Sequence, residues 1–169
     1  MREYRATINI LLGEHKAIRG HLDQIRGLAR EWDGLLAPRE CPVPGPGKAG
    51  LSPAKLKLMQ EKRSNLSQAI GYLEDGLRNH HIHEDEVMSH LLGDLLMKSI
   101  RFEHAEMMEK ISKINAIILI QNLESFLERG ASAMQMINEL CDYARSHSTR
   151  EDGILQFLKK LPEVPSAAA

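Results

Sequence analysis

Aromatic residues are scarce in this chain of 169 residues, at 4%, and there are two cysteines, Cys41 and Cys141. High aliphatic content with so few aromatics suits packed helices better than a sheet, and two distant cysteines give no disulfide framework. Neither sign of charge is in excess: Lys+Arg number 22 against Asp+Glu 23, so nothing draws the chain to nucleic acid or to an anionic membrane. Long apolar runs are missing too. The longest strongly apolar stretch, Ala116 to Ile120, is far below the roughly 20 residues that cross a bilayer. Met1-Arg2-Glu3-Tyr4-Arg5 leads into a charged amphipathic segment rather than an apolar signal region. The expectation is one cytoplasmic domain over residues 1–161, large enough for a real core, with a disordered tail at 162–169.

What is present is helical periodicity. Leu11, His15, Ile18, Leu22, Ile25, Ala29, Trp32 and Leu36 alternate steps of four and three, the seam of a helix running from near Tyr4 to Leu36. Gly13, Gly20, Gly27 and Gly34 repeat on its opposite face. They are either tolerated exposed glycines or a close-packing surface for another helix or a second subunit, which leaves a homodimer open. Pro38, Pro42, Pro44, Pro46 and Pro53, with Gly45, Gly47 and Gly50, make 37–53 a long Pro/Gly-rich loop. Ser52-Pro53 then reads as an N-cap followed by proline at the first helical position. The second helix continues to about Leu92, with Gly71 and Gly76 as possible bends, and Gly93-Asp94 makes the turn. A third helix carries Met97, Ile100, His104, Met107 or Met108, Ile111 and Ile114 through at least Ile120. Residues 121–130 extend it or form a loose connection, and a fourth helix runs from about Ala131 to Leu161, stopped by Pro162. Its inward stripe is Met136, Leu140, Ala144, His147, Glu151, Leu155 and Leu158. The fold class is all-α, an up-down-up-down four-helix bundle.

The stripes carry residues that do not belong in an apolar core. His80 and Glu84 stand four apart, on the stripe of Leu73, Leu77 and Leu91, and His147 and Glu151 repeat that spacing. His15 and His104 occupy seam positions of the other two helices. In an up-down-up-down bundle all four positions lie at one depth, roughly 15 Å from one end at ~1.5 Å rise per residue. Imidazoles and carboxylates aimed together into a core need something that binds both. The candidate ligands are His15, His80, Glu84, His104, His147 and Glu151. Four imidazoles and two carboxylates suit first-row metals such as iron, manganese or zinc, and six ligands are too many for a closed tetrahedral zinc site. Shared between two metals with bridging carboxylates, they leave positions open for water, oxygen or another small molecule. The Glu-x-x-His pairs of the ferritin-like arrangement are absent. His81 with Asp85 is a rival pair in helix two, but His81, His83 and His90 lie off the stripe and read as solvated, and His21 as surface. Met88, Met97, Met107, Met108, Met134 and Met136 read as adaptable core filler. Neither cysteine has an evident base beside it, so neither reads as a nucleophile.

Four segments, Gly13-Glu14-His15, His80-His81-Ile82-His83-Glu84-Asp85-Glu86, Phe102-Glu103-His104 and His147-Ser148-Thr149-Arg150-Glu151-Asp152, resemble in order the four helix motifs of the hemerythrin-like (HHE cation-binding) family. The resemblance covers residues ~5–160. It implies two iron ions in a non-haem di-iron centre, with His15, His80, His104 and His147 as terminal ligands and Glu84 and Glu151 as bridges. Oxygen-carrying members usually place a second histidine one turn after the first in helix three, where this chain has Met108. The four-histidine, two-glutamate set is similar to that of di-iron repair proteins of nitrosative stress and of iron- and oxygen-sensing members. The function expected is therefore engagement of oxygen, nitric oxide or peroxide for sensing, scavenging or iron handling. A stress-defence enzyme repairing iron centres or reducing nitric oxide or peroxide is the first alternative, and a metal-free helical interaction module the second.

Overall fold

A computed structural model describes residues 2–36 and 52–160. The expected 37–53 loop, apart from Ser52 and Pro53, and the 162–169 tail lie outside the described residues. Helix α1 is Arg2–Leu36. The second helical element, Pro53–Ile118, is broken at Gly93 into two helices, α2 (53–92) and α3 (94–118). Helix α4 is Leu123–Lys160. The described chain is thus four helices without strands.

Local chemistry sets these boundaries. The Ser52 hydroxyl accepts the Lys55 amide at 3.2 Å, and Pro53 follows it without an amide to satisfy. Gly93 adopts φ 71° and ψ 161°, a region open almost only to glycine. One residue therefore makes the break that separates α2 from α3. Gly71 and Gly76 keep helical geometry, so neither bends the helix. The α4 start corrects the sequence reading: 123–130 is neither an extension of helix three nor a loose connection but the start of α4. The Asn122 side chain accepts the Ser125 amide at 3.2 Å and its carbonyl accepts the Phe126 amide at 3.0 Å, capping the helix eight residues before Ala131. Phe126 anchors that turn by packing edge-on to Trp32, ring centroids 5.0 Å apart. Arg63 lies over the Phe126 ring and donates to the Ile120 carbonyl at 2.8 Å. One apolar knot so joins the end of α1, the start of α2, the end of α3 and the start of α4.

The seams bury nearly as their spacing requires. Leu11, His15, Ile18, Leu22, Ile25, Ala29 and Trp32 of α1 are all buried; the side chains of Leu36 and Leu91 fall outside the described set. In α4, Ile137 takes the core position and Met136 packs half-buried beside it. The glycine face of α1 has nothing against it: a Cβ added at Gly13, Gly20, Gly27 or Gly34 meets no atom within 4 Å. Among the described residues no helix comes into contact distance of those positions.

The core is not continuous. A large apolar cluster runs from Ile18 to Trp32, Met59 to Leu77, Met107 to Ile118 and Phe126 to Ala144. A smaller one holds Ile8, Leu11, Met88, Met97, Ile100 and Leu155. On every helix the residues numbered between the two clusters include the polar ones: His15, then His80 and Glu84, then His104, then His147 and Glu151. The bundle carries one buried polar layer between two apolar ones.

Candidate metal centre

All six of these residues are buried, none more than 6% exposed. They form two constellations, His15–His80–Glu84–Glu151 and Glu84–His104–His147–Glu151, within each of which one ligand atom per residue lies within 4.8 Å of the others. Glu84 and Glu151 belong to both. The sequence-predicted residues are therefore brought together without exception.

The facing atoms are Nε2 atoms. His15 and His80 approach Nε2 to Nε2 at 2.9 Å, and His104 and His147 at 3.0 Å. Around them, His147 Nε2 is 2.8 Å and His104 Nε2 3.8 Å from Glu151 Oε1, His15 Nε2 is 3.3 Å from Glu151 Oε2, and His104 Nε2 and His80 Nε2 are 3.1 Å and 3.7 Å from Glu84 Oε2. Short as some of these separations are, all four oxygens of Glu84 and Glu151 are buried without a hydrogen-bond partner. They lie close to the imidazole nitrogens without forming hydrogen bonds to them. Buried carboxylates are costly in that state, and lone pairs converging on common points are what a cation requires.

The outer edges of the rings explain why the Nε2 lone pairs point inward. Asp152 Oδ1 faces His15 Nδ1 at 2.6 Å, Glu14 Oε2 faces His80 Nδ1 at 2.9 Å, and Glu103 Oε2 faces His147 Nδ1 at 2.5 Å. A carboxylate accepts the proton at Nδ1, which leaves Nε2 as the donor atom to a metal and fixes the ring plane. These carboxylates are tethered in turn: Asp152 by Arg19 at 2.8 Å, Glu14 by His83 at 2.7 Å, and Glu103 by Arg150. The sequence reading identified none of the three as partners. Each is a neighbour in sequence of a predicted ligand, Glu14 of His15, Glu103 of His104 and Asp152 of Glu151. One step along a helix turns a side chain about 100°, toward the adjoining helix, and that adjacency was the available signal.

One expectation for a histidine needs correction. His81 is not solvated: it is half-buried and stacks flat on His104, with centroids 3.6 Å apart and planes 6° apart. Burial and the neighbouring His104 push its pKa down to about 2, so the ring is neutral. The rival pairing of His81 with Asp85 does not form; Asp85 instead accepts from Arg101 Nε at 2.9 Å. His83 is exposed as expected but holds Glu14.

Electrostatics follow the same layout. Burial alone lowers the His15 and His147 pKa values, but Glu151 next to both, with Asp152 at His15 and Glu103 at His147, outweighs it and raises them. Burial and the charge of His15 lower His80. Glu151 is driven below the ordinary carboxylate range, against its burial, by His147 and His15. In the His15–His80 pair the shifts are therefore opposed, one imidazole favouring a proton and the other disfavouring it.

Comparison with known proteins gives the family. The model of the hemerythrin HHE cation binding domain matches residues 6–122, more than half of the chain. The chain belongs to the hemerythrin HHE cation binding family. No curated protein and no solved structure matches it. Membership implies a metal cation site, and the His/Glu clusters supply groups that could hold one. The hemerythrin match ends before α4, so the inclusion of His147 and Glu151 rests on the geometry. Among the described residues no helix is long and apolar enough to cross a membrane. Cys141 is buried, its thiol pKa raised chiefly by burial, which makes it a poor nucleophile.

Proposed function

We propose that this hemerythrin-family protein holds two metal ions, iron in the cell, and engages oxygen, nitric oxide or peroxide at a position the protein ligands leave open. The observation that carries the reading is the sharing of Glu84 and Glu151 by two four-residue constellations. Two separate sites would not have both carboxylates in common. Six residues offer two metals two imidazoles each and two bridging carboxylates, fewer donors than two octahedral ions accept. Bound there, two irons would supply Lewis acidity and one-electron redox chemistry.

The chain's own residues do the rest. His15, His80, His104 and His147 present Nε2 atoms, and Glu84 and Glu151 present oxygens without competing partners. Glu14, Glu103 and Asp152 hold three of the rings and their Nδ1 protons. Leu11, Met88 and Leu155 on one side, and Ile18, Leu77 and Ala144 on the other, keep bulk water from the layer. Met108, half-buried one turn beyond His104, adds no imidazole, which supports sensing, scavenging or iron handling over oxygen carriage.

An up-down-up-down order and one bundle domain over 1–161 belong to the same proposal. Contacts between neighbouring helices support it, because numbers rise on one helix as they fall on the next. Glu31 meets Lys62 while Glu14 meets His80; Asp85 meets Arg101 while Glu74 meets Asn115; Glu106 meets Tyr143 while Glu103 meets His147; Asp23 meets Arg145 while Asn9 meets Lys159.

The test is to load the protein with iron, reduce it without air and add oxygen, nitric oxide or hydrogen peroxide in turn. The expected result is an absorption change with at least one of them that saturates at one ligand per pair of irons. A spectrum indifferent to all three contradicts the proposal, and sustained consumption with added reductant replaces simple binding by an enzyme.

A further inference from the structure

Three of the four inward histidines are held from behind by a carboxylate on a neighbouring helix, and the fourth is not. Asp152 of α4 backs His15 of α1, Glu14 of α1 backs His80 of α2, and Glu103 of α3 backs His147 of α4. Continued round the bundle, the pattern calls for a group from α2 behind His104 of α3. What α2 places there is His81, next in sequence to His80, lying flat on the His104 ring at 3.6 Å. Among the described residues no carboxylate faces His104 except Glu84 and Glu151, both on its inward Nε2 side. Asp85, one turn along α2 from His81, turns one oxygen to Arg101 and leaves the other buried without a partner.

The two halves of the site are therefore built differently. At the His15–His80 position both rings are locked by carboxylates, each itself anchored by a cation or a second imidazole. At the His104–His147 position only one ring is. A carboxylate behind a ligating imidazole fixes its plane and strengthens its donation, and removing such a partner costs 10–100-fold in metal affinity as an order of magnitude. Stacking fixes the plane but gives no hydrogen bond to strengthen donation.

We propose that the two metal positions are unequal, with the His15–His80 position filled first and held tighter, and that His81 is the positioning residue for the weaker one through its stack on His104. This rests on the two-metal reading above. The chain thereby has one tightly held and one more weakly held metal.

The test is a stepwise titration of the metal-free full chain with cobalt(II), read by its visible absorption and by bound cobalt per chain. The wild type is expected to take two ions in two steps, the second at least about tenfold weaker. His104→Ala should delete the weaker step and leave the tighter one. His81→Ala should weaken only the second step, and His81→Phe, which keeps a flat ring on His104, should restore it. Glu14→Gln should weaken the first step by about 10–100-fold without touching His81, so the inequality stays testable if His81→Ala does not fold. Two ions of equal affinity, loss of the tighter step in His104→Ala, or a His81→Ala titration like the wild type overturns the inference while sparing the two-metal reading. Uptake of fewer than two ions by the wild type overturns that reading, and the inference with it.

Discussion

Glu84→Gln is expected to abolish the dependence of stability on metal. Only Glu84 and Glu151 belong to both constellations, so neutralising one of them weakens both positions, whereas loss of a histidine touches one. A metal that binds the folded chain and not the unfolded one stabilises it by about 4 kcal/mol at a thousand times its Kd. For a chain of this size that is roughly 8–16 °C in Tm. Thermal melts of the wild type with excess metal and with chelator should differ by that interval. The Glu84→Gln melts should coincide with each other. The variant keeps the side chain's size and the surrounding apolar layers, so a folded, metal-indifferent protein is the expected product. A variant that still gains several degrees from metal would show that Glu84 is not a shared ligand.

Trp32→Ala should do the reverse, costing stability and sparing the site. Trp32 is 1% exposed, packs edge-on to Phe126, and sits in the knot that ties the ends of the helices distant in sequence from the polar layer. Truncating a buried tryptophan removes apolar burial and leaves a cavity, about 3–5 kcal/mol together. In Tm that is roughly 6–20 °C at this chain length. Bound metal per folded chain should equal that of the wild type. If Trp32→Ala melts like the wild type, the far cluster does not carry the bundle; if it loses metal while folded, the two layers are not independent. Together the two variants separate what holds the fold from what the fold holds.

Much of this organisation could be read from the chain because the helices are long and their seams regular. His15, His80, Glu84, His104, His147 and Glu151 were visible as candidates because they interrupt apolar stripes, and buried polar residues must be compensated. The family motif and the periodicity pointed to the same residues by different routes. What could not be read lies off the stripes. Glu14, Glu103 and Asp152 occupy flanking positions where a carboxylate facing solvent looks the same as one facing a neighbouring imidazole. His81 shares that ambiguity, and only the approach of α3 shows that its ring is covered by His104. The helix over 123–130 was obscured by Gly130 and by weak periodicity. There the Asn122 cap and the Trp32–Phe126 contact, one local and one contributed by α1, decide the outcome. The glycine repeat of α1 was conspicuous in sequence, yet no part of the described chain packs on it.

The central claim is that six buried side chains hold a pair of metals through two shared carboxylates. Its most direct test is elemental analysis of the full chain purified from iron-replete cells, with iron and protein quantified on the same sample. The account predicts about two irons per chain in the wild type, one in His104→Ala and none in Glu84→Gln. One zinc per chain, or no metal in a folded wild-type protein, would contradict it.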